Sequence, residues 1–434
     1  MRIKAGVLPQ RSWLPCSVNK RLTFTTPGPA PIDRAGRCGQ HDGMNPASYP
    51  QPATAWRDNK RWWWILSAVF PGLVWLTLLR YQESGNVAWL WVSSAVMYGL
   101  VPLLDWVLGP DKSNPPESAV AALEQQRWYR LLLLLFVPLQ FGLTIHGAWI
   151  AAYQPQGPLG LLGWVGLVLT VGGINGIAIN TAHELGHKLP AWERWLSRIT
   201  LAPVAYGHFY VEHNRGHHRR VATLEDPASA RLGESYWAFL PRTMWGSLRS
   251  AWALEASRLS NRRLPALHWR NEVLQAWAMT VLLYGGLVVW LGWVALPFLL
   301  VQAFYGASLL EVVNYIEHYG LLRAKGPDGR PVRCAPEHSW NSSHRVSNLF
   351  LYHLQRHSDH HAHPARRYQA LRHFDESPQL PSGYASLLLL AYFPPLWFRL
   401  MDAKVLAHYD GEVRRANLQP NRREALLKRY AKLS

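Results

Sequence analysis

Long apolar blocks constrain the fold of this chain more than any other feature of its sequence. Six blocks, each close to the roughly 20 residues that a helix needs to cross a bilayer, cover about residues 62–79, 87–104, 128–151, 159–179, 275–291 and 293–313. The mean hydropathy of −0.10 argues against a membrane protein, but it averages these blocks with a polar N-terminus and a long polar middle. The sequence therefore predicts an all-α integral membrane protein with six transmembrane helices.

The distribution of charge predicts how these helices are oriented. Lys60 and Arg61 precede the first block, and the loop at 105–127 carries acidic and basic residues, whereas the turn at 153–158 carries no charge. Because positively charged loops stay in the cytoplasm, both termini are expected on that side. The net charge of +18 is also compatible with nucleic-acid binding, but no stacking or groove-reading motif accompanies the basic residues.

Histidine is concentrated at the ends of these blocks and in the polar segments joined to them. Residues three or four apart share one face of a helix, so His183 is paired with His187, His213 with His217, and His357 with both His360 and His361. Imidazole is a ligand for iron, copper, zinc and nickel. The candidate histidine ligands outnumber the four ligands of a tetrahedral zinc site, which favours two metal ions. We expect these histidines in a helical cap on the cytoplasmic face. Nine of the 19 histidines form this set: His183, His187, His213, His217, His218, His318, His357, His360 and His361.

The cysteine content excludes an electron carrier of the iron–sulfur type within this chain. Only Cys16, Cys38 and Cys334 are present, and no C-x-x-C pair occurs. An iron–sulfur or rubredoxin-type module within the chain is therefore excluded. Electrons for redox chemistry must come from another protein.

Polar segments flank the part of the chain that holds the apolar blocks. Residues 1–57 lack periodicity and are expected to be disordered, with Met44 as the natural start and residues 1–43 as an upstream extension. Residues 58–410 are predicted to form one membrane domain, followed by a polar tail at 411–434. The apolar stretch at 383–401 contains two prolines and an arginine, which favours a helix in the membrane interface over a seventh crossing.

Two other classes of protein share part of this pattern. Residues 183–187 spell H-E-x-x-H, the zinc-protease signature in which the glutamate acts as general base. A zinc protease needs one further ligand, whereas this chain offers seven more histidines in ordered groups. A metal transporter would need ionisable residues at the middle of the membrane, and the blocks contain very few.

Four runs of residues resemble a known family. HELGHK (183–188), EHNRGHH (212–218), NYIEHYG (314–320) and LQRHSDHHA (354–362) together resemble the membrane alkane 1-monooxygenases, within the histidine-box desaturase and hydroxylase superfamily. The resemblance covers about residues 58–410. The first two runs are shared with membrane desaturases, and the last two are the discriminating ones.

The resemblance implies a function and its cofactors. It implies a bacterial inner-membrane enzyme with a cytoplasmic active site, in which the nine histidines hold a non-haem diiron centre, without haem, flavin or a bound nucleotide. The implied reaction is terminal hydroxylation of medium- to long-chain n-alkanes with O2 and electrons from reduced rubredoxin, itself reduced by an NADH-dependent reductase. A fatty acid or lipid desaturase or hydroxylase, and an alkyl-aromatic monooxygenase, remain alternatives with the same chemistry.

Charged residues beside the histidines have predicted supporting roles. Four acids adjoin proposed ligands and are expected to form hydrogen bonds with ring N–H groups: Glu184, Glu212, Glu317 and Asp359. Five arginines are expected either to dock an acidic electron carrier or to contact anionic lipid headgroups: Arg219, Arg220, Arg356, Arg366 and Arg367. Because an alkane has no polar handle, an apolar channel between the spans must direct its end to the metal.

Overall fold

The structure, a computed structural model, describes residues 56–430, and this part of the chain is helical without β-strands. The predicted disorder before residue 56 and the expected start at Met44 lie outside the described residues. Helices of eight residues or more are α1 (Trp63–Ser84), α2 (Val87–Leu108), α3 (Glu117–Gln125), α4 (Arg127–Tyr153), α5 (Gly160–Gly186), α6 (Ala191–Thr200), α7 (Tyr236–Ser260), α8 (Glu272–Leu291), α9 (Ala295–His318), α10 (Tyr384–Ala391), α11 (Pro394–His408) and α12 (Arg423–Tyr430).

Six of these helices are long and apolar enough to cross a membrane: α1, α2, α4, α5, α8 and α9. The predicted fold class is therefore confirmed. We call the runs 183–188, 212–218, 314–320 and 354–362 the histidine boxes. Short helices in or near the second and fourth boxes lie at Phe209–Val211, Glu212–His217, His218–Arg220, Arg345–Phe350 and His357–Ala362. Single 3-10 turns lie at Ala202–Val204, Pro336–His338, Tyr368–Ala370, Val413–Arg415 and Pro420–Arg422.

Two spans continue beyond the apolar blocks that predict them. The fourth block ends near residue 179 and the sixth near 313, but α5 continues to Gly186 and α9 to His318. No proline interrupts either extension, and the polar side chains there are enclosed by protein, since Glu184 and Glu317 are buried. The extensions carry His183 and His318 on the last turns of the spans themselves.

Glycines bring α5 and α9 into backbone contact. A Cβ atom added at Gly172 would lie 2.6 Å from the carbonyl oxygen of Gln302, and one added at Gly306 would lie 2.9 Å from the carbonyl oxygen of Gly172. Gly176 is similarly close to the Gly306 carbonyl, whereas a Cβ atom at Gly173 would make only an ordinary contact with Met97, at 3.8 Å. The close packing of α5 against α9 thus depends on Gly172 and Gly176.

The segment at 383–401, predicted as one interfacial helix, forms two helices. Residues Tyr392 and Phe393 separate α10 from α11, which starts at Pro394, because a proline begins a helix more readily than it continues one. Both helices pack on the end of α9 in one buried cluster that includes Trp397. The chain after residue 410 joins the same cluster through Tyr430, whose hydroxyl donates to Asp402 Oδ2 at 2.6 Å.

Candidate metal centre

Five imidazoles converge at the end of α5. The five-histidine group consists of His183, His187, His213, His218 and His360, and one ring nitrogen of each lies within 4.8 Å of all the others. Nε2 of His183 is 2.9 Å from Nε2 of His360, which is 3.1 Å from Nε2 of His218. Nε2 of His213 is 3.0 Å from the Nε2 atoms of both His187 and His218. Histidines from three boxes that are distant in sequence therefore converge on one point.

Four further imidazoles converge beside the first five. The four-histidine group consists of His217, His318, His357 and His361, and its donor atoms also lie within 4.8 Å of one another. Nε2 of His357 is 3.2 Å from Nε2 of His318 and 2.9 Å from Nε2 of His361. All four side chains are buried. The two groups together use all nine histidines of the predicted set.

The separations fit metal ions better than they fit hydrogen bonds between rings. Nitrogens about 3 Å apart match two donors that bind one ion at about 2.1 Å and at right angles. A neutral imidazole has one N–H and one lone pair, so a hydrogen bond can join two facing nitrogens but cannot satisfy four or five that converge. Among the described residues, the buried Nε2 atom of His217 has no hydrogen-bond partner. The donor set suits two ions that accept imidazole, of which iron is one.

Burial keeps six of the candidate ligands uncharged. Loss of hydration lowers the pKa of the imidazoles outside the transmembrane helices well below the usual value, and neighbouring histidines add to the decrease. An uncharged ring retains the lone pair that a metal requires. The rings concerned are His187, His213, His218, His357, His360 and His361.

The local backbone decides which histidine joins which group. His213 and His217 lie in a π-helix, Glu212–His217, in which hydrogen bonds connect residues five apart. His213 and His218 therefore reach the five-histidine group, while His217 reaches the other. The predicted pairing of His213 with His217, which assumes α-helical spacing, is wrong for this reason.

The last box also divides between the groups. His357 and His361, four residues apart on the helix His357–Ala362, both lie in the four-histidine group, and His360 lies in the five-histidine group. The predicted shared target is thus confirmed for His361 and wrong for His360. Adjacent histidines on this helix point about 100° apart, so they face different groups.

A carboxylate that sequence reasoning missed orients one ring. The Nδ1 atom of His217 lies 3.0 Å from Asp226 Oδ2, which also accepts a hydrogen bond from the Ser229 hydroxyl at 2.7 Å. The carboxylate thereby fixes the tautomer that leaves His217 Nε2 free for a metal. Asp226 lies in an irregular loop nine residues after His217, where no periodic pattern predicts its position.

The four acids predicted beside the ligands have different partners. Glu184 pairs with Lys188 at 2.8 Å, and Asp359 with Arg366 at 2.8 Å. Glu212 pairs with Arg220 at 2.6 Å, and burial raises the pKa of its carboxyl group to about 7. Among the described residues, none of these three carboxylates lies within hydrogen-bond distance of a ring of the nine histidines. The predicted hydrogen bonds to ring N–H groups are therefore wrong for these three acids.

Glu317 is the predicted acid that reaches a candidate ligand. Its Oε2 atom lies 3.2 Å from Nε2 of His357, the nitrogen that faces the four-histidine group, rather than from the outer nitrogen. Its Oε1 atom accepts a hydrogen bond from the Tyr384 hydroxyl at 2.8 Å. Glu317 therefore adds a carboxyl oxygen to the face of the four-histidine group, and Tyr384, which had no sequence signal, holds it there.

The predicted docking arginines are not equally exposed. Arg356 is only 2% exposed and donates to backbone carbonyl oxygens of Asp111, Ser113 and Leu371. Three others pair with acids of this chain: Arg220 with Glu212, Arg366 with Asp359, and Arg367 with Glu193. Arg219 is exposed beside His218. Arg356 thus has a structural position, and Arg219 is the arginine best placed to meet another molecule.

An apolar cavity ends at the histidines. Its wall is formed by spans α1, α2, α5 and α9 and by the helix Arg345–Phe350, with side chains such as Phe70, Met97, Ile177, Leu309 and Phe350. At its inner end lie His183, His213, His357 and Glu317. The cavity is thus lined mainly by apolar side chains, and imidazoles of both groups reach it.

Comparison with known proteins gives consistent results. Residues 158–391 match the family model described as fatty acid desaturase. The chain is 47% identical over 368 residues to alkane 1-monooxygenase 1 of Alcanivorax borkumensis, covering 85% of this chain and 90% of the relative. It is 43% identical over 376 residues to alkane 1-monooxygenase of Acinetobacter baylyi, covering 86% and 91%. The hydroxylase component XylM of the Pseudomonas putida xylene/toluene monooxygenase is 28% identical over 278 residues, 62% of this chain and 71% of that protein.

Proposed function

The chain belongs to the alkane 1-monooxygenase family, within the fatty acid desaturase superfamily, and we propose that it hydroxylates the terminal carbon of medium- to long-chain n-alkanes. The reaction consumes O2, two electrons and two protons, and yields a 1-alkanol and water. The observation that carries this proposal is the convergence of nine imidazoles on two adjacent points at the end of an apolar cavity. No other site among the described residues combines metal donors with room for a hydrocarbon.

The nine histidines are proposed to hold two iron ions, one in each group. The five-histidine group would supply five imidazoles, and the four-histidine group would supply four together with the nearby Glu317 carboxylate. The chemistry that such a pair supplies when bound is reduction of O2 to an oxidant able to take hydrogen from an unactivated C–H bond. Asp226 and Tyr384 are proposed to keep His217 and Glu317 in position.

The cavity is proposed to select the terminal methyl group by shape. An alkane binds only through burial of its apolar surface, which contributes a free energy of about 25 cal/mol per Å². The cavity wall must therefore hold the alkane along its length, with its terminal carbon at the histidines. The polar groups in the wall are already engaged, since Asn180 Nδ2 donates to Leu351 O at 2.5 Å and Asn314 Nδ2 to Glu311 Oε2 at 3.2 Å. They therefore offer little to water, and Glu317 is the polar group left at the reacting end.

Electrons are proposed to come from a separate rubredoxin, because the chain lacks a cysteine pair that could hold its own iron–sulfur group. The protein is proposed to lie in the bacterial inner membrane with the histidines on the cytoplasmic side, where an NADH-dependent reductase can reduce that carrier. Charge in the loops supports this orientation. Arg219 is proposed as one contact of the acidic carrier.

The decisive test is reconstitution. Purified protein is supplied with rubredoxin, its reductase, NADH and ¹⁸O2, and is given octane or hexadecane. We expect about two iron ions per chain and a 1-alkanol that carries one labelled oxygen. Zinc in place of iron, or a 2-alkanol as the main product, would contradict the proposal.

Two comparison substrates separate the alternatives. The similarity to a xylene/toluene monooxygenase component makes xylene the appropriate aromatic probe, and the family model makes a saturated acyl lipid the appropriate probe for desaturation. We expect turnover of both to remain below that of the alkane. Faster oxidation of the xylene methyl group, or a double bond in the lipid, would favour the respective alternative.

A further inference from the structure

A basic pocket lies away from the histidines, where α6, the end of α7 and the start of α8 meet. Its wall contains five arginines, which we call the arginine pocket: Arg194, Arg198, Arg258, Arg262 and Arg270. The only carboxylate in this wall is Glu272. Nothing in the proposed reaction uses these residues.

Positive charge exceeds negative charge in this pocket. Glu272 pairs with Arg215 and lies 3.9 Å from Arg198, so it is shared between two guanidinium groups. Glu255, behind the wall, is occupied by Arg215 and by two hydrogen bonds from Arg258, each of 2.7 Å.

Three arginines of the wall remain without an acid. Among residues 56–430, no carboxylate lies within 4.0 Å of the guanidinium groups of Arg194, Arg262 and Arg270. Arg262 and Arg270 are exposed. The pocket therefore carries an excess of positive charge that this chain does not neutralise.

Arg198 gives the pocket a fixed, partly unsatisfied donor. Its side chain is 6% exposed, its guanidinium carbon lies 3.7 Å from the centre of the Trp195 ring, and it donates to Gln275 Oε1 at 2.6 Å. Its buried Nε atom has no hydrogen-bond partner among the described residues. A buried donor without an acceptor is costly, so a further acceptor at the guanidinium group of Arg198, which lines the pocket, would be stabilising.

Apolar side chains around the pocket place it at the membrane interface. Trp192 and Trp195 of α6, and Leu267 and Trp269 just before α8, are 47%, 43%, 77% and 70% exposed, respectively. Tryptophan is enriched where a membrane protein meets the headgroup region. Since α8 crosses the membrane from Glu272 onward, the arginines lie at the level of the lipid phosphates.

We propose that the arginine pocket binds the phosphodiester headgroup of an anionic phospholipid, whose acyl chains extend along the exposed apolar side of α8. Arginine matches phosphate geometry with its planar set of donors, and basic pockets beside transmembrane helices are typical sites for anionic headgroups. Val281, Leu282 and Val289 of α8 are 68%, 75% and 89% exposed and provide the apolar surface for the chains. The aromatic rim favours lipid over an acidic protein, which would leave these tryptophans in contact with water.

The pocket is connected to the histidines through two contacts. Arg215, which belongs to the π-helix with His213 and His217, donates to both Glu255 and Glu272. The Ser197 hydroxyl of α6 donates to the carbonyl oxygen of Ala182 at 2.6 Å, next to His183. Lipid binding is therefore expected to stabilise the segments that carry the first two histidine boxes.

The test compares lipid binding by matched variants of the full chain in neutral detergent. Native mass spectrometry measures the affinity for phosphatidylglycerol and for phosphatidylcholine, and thermal unfolding measures the stabilisation. Each arginine near a membrane surface is worth about fivefold in affinity for an anionic lipid, so Arg262→Gln/Arg270→Gln should weaken phosphatidylglycerol binding about 25-fold. Arg330→Gln/Arg333→Gln is the matched control, because these two arginines are also exposed and do not line the pocket.

Three results would overturn the proposal. The first is equal phosphatidylglycerol affinity in the pocket variant and the control. The second is equal stabilisation by inorganic phosphate alone, which would indicate a site for free anions. The third is unchanged lipid binding together with a raised KM for rubredoxin in phosphatidylcholine nanodiscs, which would identify a protein-docking surface. Phosphatidylglycerol binding by the wild type and control, with loss in the pocket variant, supports the proposal whatever the reaction proves to be.

Discussion

The two histidine groups differ in how they would stabilise a metal ion. The five-histidine group relies on the number of its donors, and two of its rings, His187 and His218, are partly exposed. The four-histidine group has one donor fewer and is entirely buried, but two carboxylates adjoin it: Asp226 behind His217, and Glu317 on its face. One group thus combines more imidazoles with access to the surface, and the other combines fewer imidazoles with two carboxyl groups.

This difference indicates that the two sites are not equivalent. A divalent ion held by the five uncharged rings would have no carboxyl group in contact with those rings among the described residues, whereas Asp226 adjoins the other group in a medium that screens charge weakly. In the proposed reaction, the partly exposed group would be the nearer of the two to an electron carrier at the surface. Glu317 lines the apolar cavity together with His357 of the four-histidine group. The cavity is therefore more polar beside this group than beside the five-histidine group.

The largest effect is expected from removal of one ligand in each group. His318→Ala leaves three imidazoles in its group, while His218→Ala leaves four in the other. We expect His318→Ala to retain about one iron ion per chain and to lose at least about 100-fold in activity, the upper end for residues that only orient a ligand. Plasma mass spectrometry of the purified variants measures the iron. Equal iron loss in the two variants would break the comparison.

The next effect concerns the carboxylate behind His217. Asp226→Ala removes the acceptor that fixes the ring, and loss of such a partner typically costs 10- to 100-fold in metal affinity or activity. We expect iron to dissociate faster from one of two sites during dialysis against a chelator. Glu212→Ala is the control, because Glu212 lies beside His213 without contacting a ring. Biphasic iron loss in the control as well would show that the effect is not specific to Asp226.

A smaller effect is expected at the hydroxyl that holds Glu317. Tyr384→Phe removes one hydrogen bond to a carboxylate, and we expect a roughly tenfold loss of kcat with iron retained, the lower range for a bond to a charged group. Tyr319→Phe is the matched control, since its hydroxyl donates to Asp402 at 2.7 Å and both tyrosines are fully buried. The control should lower only the unfolding temperature. A similar kcat in both variants would show that the position of Glu317 does not distinguish the four-histidine group in the reaction.

The smallest effect tests access to the five-histidine group. Arg219→Gln removes one exposed charge beside His218, and we expect the KM for rubredoxin to rise about two- to fivefold with kcat unchanged, since single exposed charges contribute at most about 1 kcal/mol. Arg330→Gln, which removes an equally exposed charge elsewhere, should leave that KM unchanged. An unaltered KM in Arg219→Gln would locate the docking surface elsewhere.

The sequence predicted the spans because their signal is local. A helix in lipid must be apolar over about 20 residues, and such a block can be found without knowing its neighbours. The same reasoning placed the ends of α5 and α9 too early, because His183 and His318 lie on polar turns that only tertiary contacts enclose.

The nine predicted histidines do converge in the structure, but sequence reasoning did not give their division into two groups. Helical spacing correctly brought His183 and His187 together, yet it failed at His213 and His217, since a π-helix has no signature in hydropathy. Asp226 reaches the site from an irregular loop, and Tyr384 from a helix distant in sequence. Arg356 looked like a surface charge because sequence alone does not show that backbone carbonyl groups surround it.

The contact between Gly172 and Gly306 sets a dimension of the active site from within the membrane. These glycines let the backbones of α5 and α9 touch, and the two rigid helices carry that spacing along their axes, at about 1.5 Å per residue, to His183 in one group and His318 in the other. The distance between the two ions would thus be set by a contact that lies more than a full helical turn from any ligand. An alanine at either glycine would push the two helices apart and widen the separation between the two histidine groups, with every imidazole still in its own group.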